Sequence, residues 1–199
     1  MKKLFVLGDS ISIHYGPFLR GMVRGVFEYA RKQTTGDESV DGQPVDANGE
    51  DSALVLAFLC EYLAEQTPDV LLLNCGLHDL RTDPETGRKQ VPLEAYQANL
   101  QEIFRIVPRD VRLVWVRTMP VDDETHNSRQ VGFQRFDRDV VQYNEAADRL
   151  CGEAGVPTID LYGFTRGLGG DLFCDHVHYH ERVRELQAAF IAGHLLAWS

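Results

Sequence analysis

Cysteine is scarce in this chain and never clustered. The four present, Cys60, Cys75, Cys151 and Cys174, form no Cys-x-x-Cys pair, which argues against a disulfide framework. Three of them lie in apolar or strand-like contexts and read as buried reduced thiols, so a cytoplasmic protein is expected. Apolar runs of membrane-spanning length are also missing. Met1-Lys2-Lys3 has the basic character of a signal-peptide start, but only four apolar residues follow before Gly8-Asp9. That run is too short for a signal core, and no secretory leader is expected. Basic residues are outnumbered, 20 against 30 acidic, for a formal net charge of −10. Such a chain is repelled by phosphate backbones and anionic lipid surfaces, so neither nucleic acid nor membrane is an expected partner. With no repeat, low-complexity tract or linker, residues 1–199 read as a single domain. A chain of this length buries roughly 70% of its unfolded surface and needs no staples.

What is present is an alternation of strand and helix signals. Leu4 to Leu7 read as a buried strand ending in Gly8-Asp9-Ser10. Pro17 to about Gln33 carry Leu19, Val23, Val26, Phe27 and Ala30 at helical spacing. Thr34 to Asp51 are Gly- and Asp-rich and read as a long loop with at most one short strand near Pro44 to Ala47. Ser52 reads as the N-cap of a helix to Gln66, with heavy burial expected of the apolar run Ala53 to Cys60. Asp69 to Asn74 form a strand of the kind covered on both faces. A polar loop, Arg81 to Val91, precedes a helix from Pro92 with Leu93, Tyr96, Leu100, Ile103 and Phe104 on one face. Arg112 to Arg117 are a strand, Val121 to Gly132 a charged loop, Phe133 to Glu153 a helix ended by Gly155, and Val156 to Leu161 a strand. A Gly-rich loop, Gly163 to Asp171, and a last helix to Trp198 close the chain. Strands separated by helices pair in parallel through right-handed crossovers. The expected fold is a three-layer α/β/α sandwich with a mostly parallel, flavodoxin-like five-stranded sheet.

Ligands in such folds bind outside the carboxyl ends of the strands, so the residues just after each strand carry the chemistry. Ser10 follows the first strand, where a sharp turn would expose its hydroxyl. Asp175-His176-Val177-His178 places a carboxylate three residues before an imidazole, on one face of a turn. There Asp175 could hold one ring nitrogen of His178 and leave the other as base toward Ser10. His176 and His180 compete for that role, and His-x-His-x-His could instead hold a metal. Oxyanion donors are sought in the Ser10 amide, the Gly49 amide and the His78 side chain, with Asn74 as an alternative roughly 13 Å back along its strand.

These residues bring the whole chain to a resemblance with the SGNH hydrolases, the GDSL esterase/lipase group. Gly8-Asp9-Ser10 resembles the family's first block, Gly49 its second-block glycine, Gly76-Leu77-His78-Asp79 its Gly-x-Asn-Asp block, and Asp175-His176-Val177-His178 its Asp-x-x-His block. The resemblance implies Ser10 as nucleophile, His178 as base, Asp175 as its orienter, and Ser10, Gly49 and His78 around the oxyanion. No metal or other cofactor is implied. His78 stands where the family has asparagine; a neutral imidazole can still donate one hydrogen bond and a protonated one a stronger bond.

The function so implied is a serine esterase. The polar loops Gly36 to Asp51, Thr82 to Gln90 and Asp122 to Arg135 suit a sugar-like ligand, and no lid or membrane-binding helix is evident. The expected partner is a small-molecule ester, an acetylated carbohydrate or other small polar alcohol. Alternatives are a lysophospholipase- or thioesterase-type acyl hydrolase, or a non-catalytic ligand-binding module on the same scaffold.

Overall fold

The computed structural model describes residues 1–33, 39–40, 43–44, 47–129 and 132–198. Its main sheet has five strands: β1 (Lys2–Leu7), β2 (Phe27–Arg31), β5 (Val70–Leu73), β6 (Arg112–Val116) and β7 (Thr158–Ile159). A separate two-stranded ribbon joins β3 (Ser39–Val40) to β4 (Gln43–Pro44). Every pair in the main sheet is parallel, in the order β2-β1-β5-β6-β7. The order reverses at β1, which is the flavodoxin-like arrangement. β5 is buried along its whole length and β6 from its second residue on, as expected of strands covered on both faces.

Seven helices cover the sheet among the described residues: α1 (Ser10–Met22), α2 (Ser52–Glu65), α3 (Leu93–Ile106), α4 (Asp123–Arg129), α5 (Asp137–Ala154), α6 (Leu161–Leu168) and α7 (Glu181–Ala197). α7 packs beside α1 and α6, while α3 packs beside α2 and α5. These two groups form the outer layers. α3 buries Tyr96, Leu100 and Ile103 along one stripe, the face its spacing predicts. α5 stops where Gly155 turns left-handed at φ 68°.

Several elements differ from the sequence reading. α1 begins at Ser10, because the Asp9 side chain caps it, and runs through Pro17 to Met22. The chain then forms strand β2, where Phe27, Tyr29 and Arg31 face inward and Glu28 and Ala30 outward. The same apolar residues satisfy a helical spacing locally, so only the pairing of Lys2 with Phe27 through Val6 with Arg31 decides between the two. β2 is therefore the fifth strand. Of the strand expected near Pro44 to Ala47, Val45 and Asp46 lie outside the described residues. α2 is capped by Asp51 rather than Ser52 and buries only Ser52, Val55 and Leu59. Leu54 on its outer face is 49% exposed, so the apolar run is not wholly buried. α5 starts at Asp137, four positions later than read from Phe133. Two of the charged or Gly-rich loops contain helices, α4 and α6; Asp160 starts the latter by accepting from the Gly163 amide at 2.9 Å. Cys75 and Cys151 are buried and Cys60 and Cys174 exposed, so two thiols are enclosed rather than three.

The turn after β5 depends on Gly76, which sits at φ 142° with no room for a side chain: a Cβ there would lie 2.5 Å from Thr118 Oγ1. Thr118 is fixed in turn by donating to the Cys75 carbonyl at 3.0 Å. Gly76→Ala is expected to destabilise the fold by about 1–3 kcal/mol, read as a lower urea midpoint at unchanged m-value. A wild-type midpoint would show that the turn tolerates a Cβ.

Candidate active site

The first strand delivers a serine to the crevice where the sheet order reverses. β1 ends at Leu7, whose carbonyl accepts from the Asn74 amide at 3.0 Å, so the ends of β1 and β5 lie side by side. Ser10 opens α1, and its own amide is the first of the helix, without an intrahelical acceptor. Asp9 holds the turn: its Oδ1 accepts from the Ile11 amide at 3.0 Å and its carbonyl from Ser12 Oγ at 2.6 Å. Asp9 is 1% exposed. Burial raises its pKa, against the pull of the Ile11 amide, Arg135, the Ser12 amide and His178. Arg31, at the end of β2, braces the turn from below, donating to the Ser12 carbonyl at 3.0 Å and to the Ala47 carbonyl at 3.3 Å.

The base comes from the far end of the chain. Backbone bonds from Cys174 to His178 and from His180 to Leu172 fold residues 172–180 into a tight ribbon with Asp175 to Val177 at its tip. Asp175 Oδ1 accepts from the Val177 and His178 amides, each at 2.7 Å, and Oδ2 lies 2.7 Å from His178 Nδ1. His178 Nε2 lies 2.9 Å from Ser10 Oγ. Partial burial would raise the Asp175 carboxyl, but the two amides and the imidazole outweigh it and hold its pKa down at about 2. An ionised Asp175 fixes the tautomer, with hydrogen on Nδ1 and the Nε2 lone pair facing the serine hydroxyl. His14 lies against the imidazole, ring centroids 4.5 Å apart.

Two middle segments close the site. Asn48-Gly49-Glu50-Asp51 leads into α2, and the Gly49 amide donates to the Gly8 carbonyl at 2.9 Å. A Cβ on Gly49 would meet that carbonyl at 3.2 Å, so glycine permits the close approach of the two turns. Asp79 ties the segments together, its two oxygens accepting from the Ser52 amide at 3.0 and 3.1 Å. Burial raises the Asp79 carboxyl to about 6 despite those bonds. His78 is 6% exposed, with Nδ1 buried and unpartnered among the described residues. Burial, then Arg81, Arg135 and His178, push its pKa down to about 2, so it is neutral near pH 7. Asn74 is committed elsewhere, donating to the Val116 carbonyl at 2.9 Å.

The sequence-predicted residues Ser10, His178 and Asp175 are thus in hydrogen-bonding contact. Gly49 lies against the Gly8 turn, with its amide engaged there, and His78 lies within the field of His178. The other two histidines of the His-x-His-x-His run turn away. His176 Nδ1 lies 3.0 Å from His126 Nδ1, and His180 Nε2 lies 3.4 Å from Asp171. Among the described residues no group of three His, Cys, Asp or Glu gathers as a metal site. Sequence reasoning passed over four neighbours. His14 had a signal, standing four residues after Ser10 on the same helix face. Arg81, His126 and Arg135 had none, since the partial burial of the first and the full burial of the other two are decided by tertiary contacts.

Known proteins resemble this one in sequence and in fold. The sequence matches the GDSL-like lipase/acylhydrolase family over residues 6–183. It is 25% identical over 146 residues to human PC-esterase domain-containing protein 1B, a stretch that is 67% of this chain and 32% of that protein. The chain thus spans about a third of the length of that curated relative. Among solved structures, the lipase/acylhydrolase from Enterococcus faecalis superposes with a TM-score of 0.75 at 16% identity, covering 99% of this chain and 96% of that one. The acetyl xylan esterase AlAXEase gives 0.70 at 14% identity, covering 97% and 99%. A variant of the acetyl-xylooligosaccharide esterase Axe2 from Geobacillus Stearmophilus gives 0.70 at 16%, covering 98% and 93%. The match over residues 6–183, which takes in the Ser10 turn, both middle segments and the Asp175 to His178 ribbon, makes this chain a member of the GDSL-like lipase/acylhydrolase family.

Proposed function

We propose that the protein is a serine esterase that removes short acyl groups, acetyl in the first instance, from a carbohydrate or other small polar alcohol. The observation that carries the reading is the relay of Ser10 Oγ to His178 Nε2 at 2.9 Å and His178 Nδ1 to Asp175 at 2.7 Å. Ser10 Oγ attacks the acyl carbon while His178 Nε2 takes the hydroxyl proton. The imidazolium so formed is stabilised by ionised Asp175 and returns the proton to the leaving alcohol oxygen as the acyl–oxygen bond breaks. Water, activated by the same imidazole, then releases the acid from the acyl-serine. The acetyl preference rests on likeness: two of the superposing structures are named as acetyl xylan or acetyl-xylooligosaccharide esterases.

The oxyanion is assigned to the Ser10 amide, the His78 imidazole and the Gly49 amide. The Ser10 amide has no helical acceptor, and a neutral His78 can donate from one ring nitrogen. Gly49 joins them by sharing its N–H between the Gly8 carbonyl and the oxyanion. Each such donor contributes about 10²–10³ in turnover.

Ser10→Ala is expected to lower p-nitrophenyl acetate turnover by about 10³ or more with an unchanged circular dichroism spectrum; retained turnover would sink the assignment. His78→Ala is expected to lose about 10²–10³, while His78→Asn, which keeps an N–H donor, retains most activity. Equal, wild-type rates in both variants would remove His78 from the site. The same imidazole makes a pH prediction. Its folded pKa, about 2, lies below the ordinary 6.5, so the unfolded chain binds more protons in between. The stability His78 supports is therefore full above about pH 6.5 and is lost progressively as pH falls from there. Melting temperature is expected to drop less between pH 7 and 5 in His78→Asn than in wild type, and parallel curves would refute the buried neutral imidazole.

A further inference from the structure

Arg135 is a cation at 3% exposure. Buried charges ordinarily find a partner, because removing an ion from water costs several kcal/mol. Elsewhere this chain pairs its partly buried cations: Lys89 meets Asp139, and Arg117 meets Asp160 at 2.7 Å. Among the described residues no carboxylate reaches ion-pair distance of Arg135 or of its neighbour Arg81. Arg81 Nε is likewise buried with no acceptor. The two guanidinium groups lie over one ring, Phe133, at 4.6 and 4.8 Å from its centroid. The Arg135 guanidinium is fastened to the His78 loop, its Nε donating to the Leu77 carbonyl at 2.7 Å, and the Arg81 backbone continues that loop, its amide donating to the His78 carbonyl at 3.2 Å. The nearby acids act on the pair only from beyond ion-pair distance, Glu50 and Asp51 on Arg81 and Asp9 on both; Asp9 Oδ1 caps α1, and Asp51 caps α2 while accepting from Gln90 at 2.7 Å. Outward from Arg81 and Phe133 opens a cleft of about 490 Å³, also lined by Arg88, by Lys89, which is paired with Asp139, and by Asp83, which accepts from the Glu85 and Thr86 amides of its own turn. That volume is in the range of small-molecule sites.

Resting on the esterase reading, we infer that Arg81, with the buried Arg135 adding its charge across Phe133, forms a subsite for a carboxylate carried on the alcohol portion of the ester, so that the preferred substrate is an acylated acidic sugar. Planar guanidiniums bind a carboxylate through charge-assisted, often paired, hydrogen bonds, and Phe133 holds both planes in place. The burial that depresses Arg135 to about 9 leaves it charged near pH 7. A net charge of −10 over the chain opposes a polyanion, whereas a single carboxylate within about 8 Å of the arginines feels them more than the distant, screened acids. The ligand is therefore one acidic group and not an anionic polymer.

The test compares the O-acetylated methyl glycosides of glucuronic acid and glucose, which differ at the carboxylate, with p-nitrophenyl acetate as reporter of the Ser10 chemistry. Wild type is expected to prefer the acidic sugar by about tenfold in kcat/KM, with the preference shrinking as salt rises. In Arg81→Gln the ratio of acidic to neutral sugar is expected to fall toward one through KM. Glucuronate should inhibit wild-type hydrolysis of p-nitrophenyl acetate competitively where glucose does not, a readout that needs no variant to fold. A wild type that hydrolyses p-nitrophenyl acetate but treats the two sugars alike, or an Arg81→Gln that keeps the preference, overturns the subsite and leaves the esterase standing. A wild type inert toward all three esters overturns the esterase reading and this inference with it.

Discussion

The parallel pairing of β1 with β5 is the constraint on which the site depends. Leu4 to Leu7 run beside Val70 to Leu73, and the last bond of that ladder, from the Asn74 amide to the Leu7 carbonyl, leaves both strands ending level. Because the strand order reverses at β1, the helices leaving the two sides diverge and open a crevice above this edge. The segments that continue from Leu7 and Leu73 must face that crevice, and they are Gly8-Asp9-Ser10 and Asn74-Cys75-Gly76-Leu77-His78. β2 then matters beyond its share of the sheet, since its last residue, Arg31, holds the Ser12 carbonyl and the Ala47 carbonyl and so relates the serine turn to the Gly49 segment.

Around that crevice the protein sequesters polar groups in opposite ways. Asp9 and Asp79 are buried carboxyls pushed up in pKa, while His78 and His126 are imidazoles pushed down to about 2 and 4, chiefly by burial. Asp175, more open and held by amides, goes the other way. One loop lowers the pKa of its carboxyl, then, while its neighbours raise theirs, an arrangement set by hydrogen bonding against desolvation and not by residue type. Residues 121–129 and 132–136 fasten these parts together. His126 Nδ1 meets the His176 carbonyl at 3.1 Å, Arg135 meets Leu77, and Gln134 exchanges backbone bonds with Thr82 at 2.7 and 2.8 Å.

How much of this could be read from the sequence varied with how local the cause was. β1, β5 and β6 were legible because strands buried on both faces leave apolar runs. The Ser10 turn and the Asp175 to His178 ribbon were legible because their geometry is set within four residues. β2 was not, since Phe27 and Ala30 fit both periods and only the partner strand decides. α4, Asp-Glu-Thr-His-Asn-Ser-Arg, carries no apolar stripe, and its single buried residue is His126. Arg135 gives no sign in the sequence of being enclosed; the stacking on Phe133 and the Leu77 carbonyl that hold it are fifty-odd residues apart along the chain.

The hydroxyl of Ser10 and the ring nitrogen of His178 that meets it are 168 residues apart in sequence. During synthesis the serine leaves the ribosome first and its imidazole arrives after nearly the whole sheet has been made, a delay of roughly 10–30 s at ordinary elongation rates. Through that interval the strand edge, the Gly49 segment and the His78 loop can assemble around a serine that still lacks its imidazole neighbour. On the proposed mechanism the nascent chain has no base for its serine until the Asp175 to His178 ribbon docks, and a copy truncated before residue 178 is expected to be inert however well the rest of it folds.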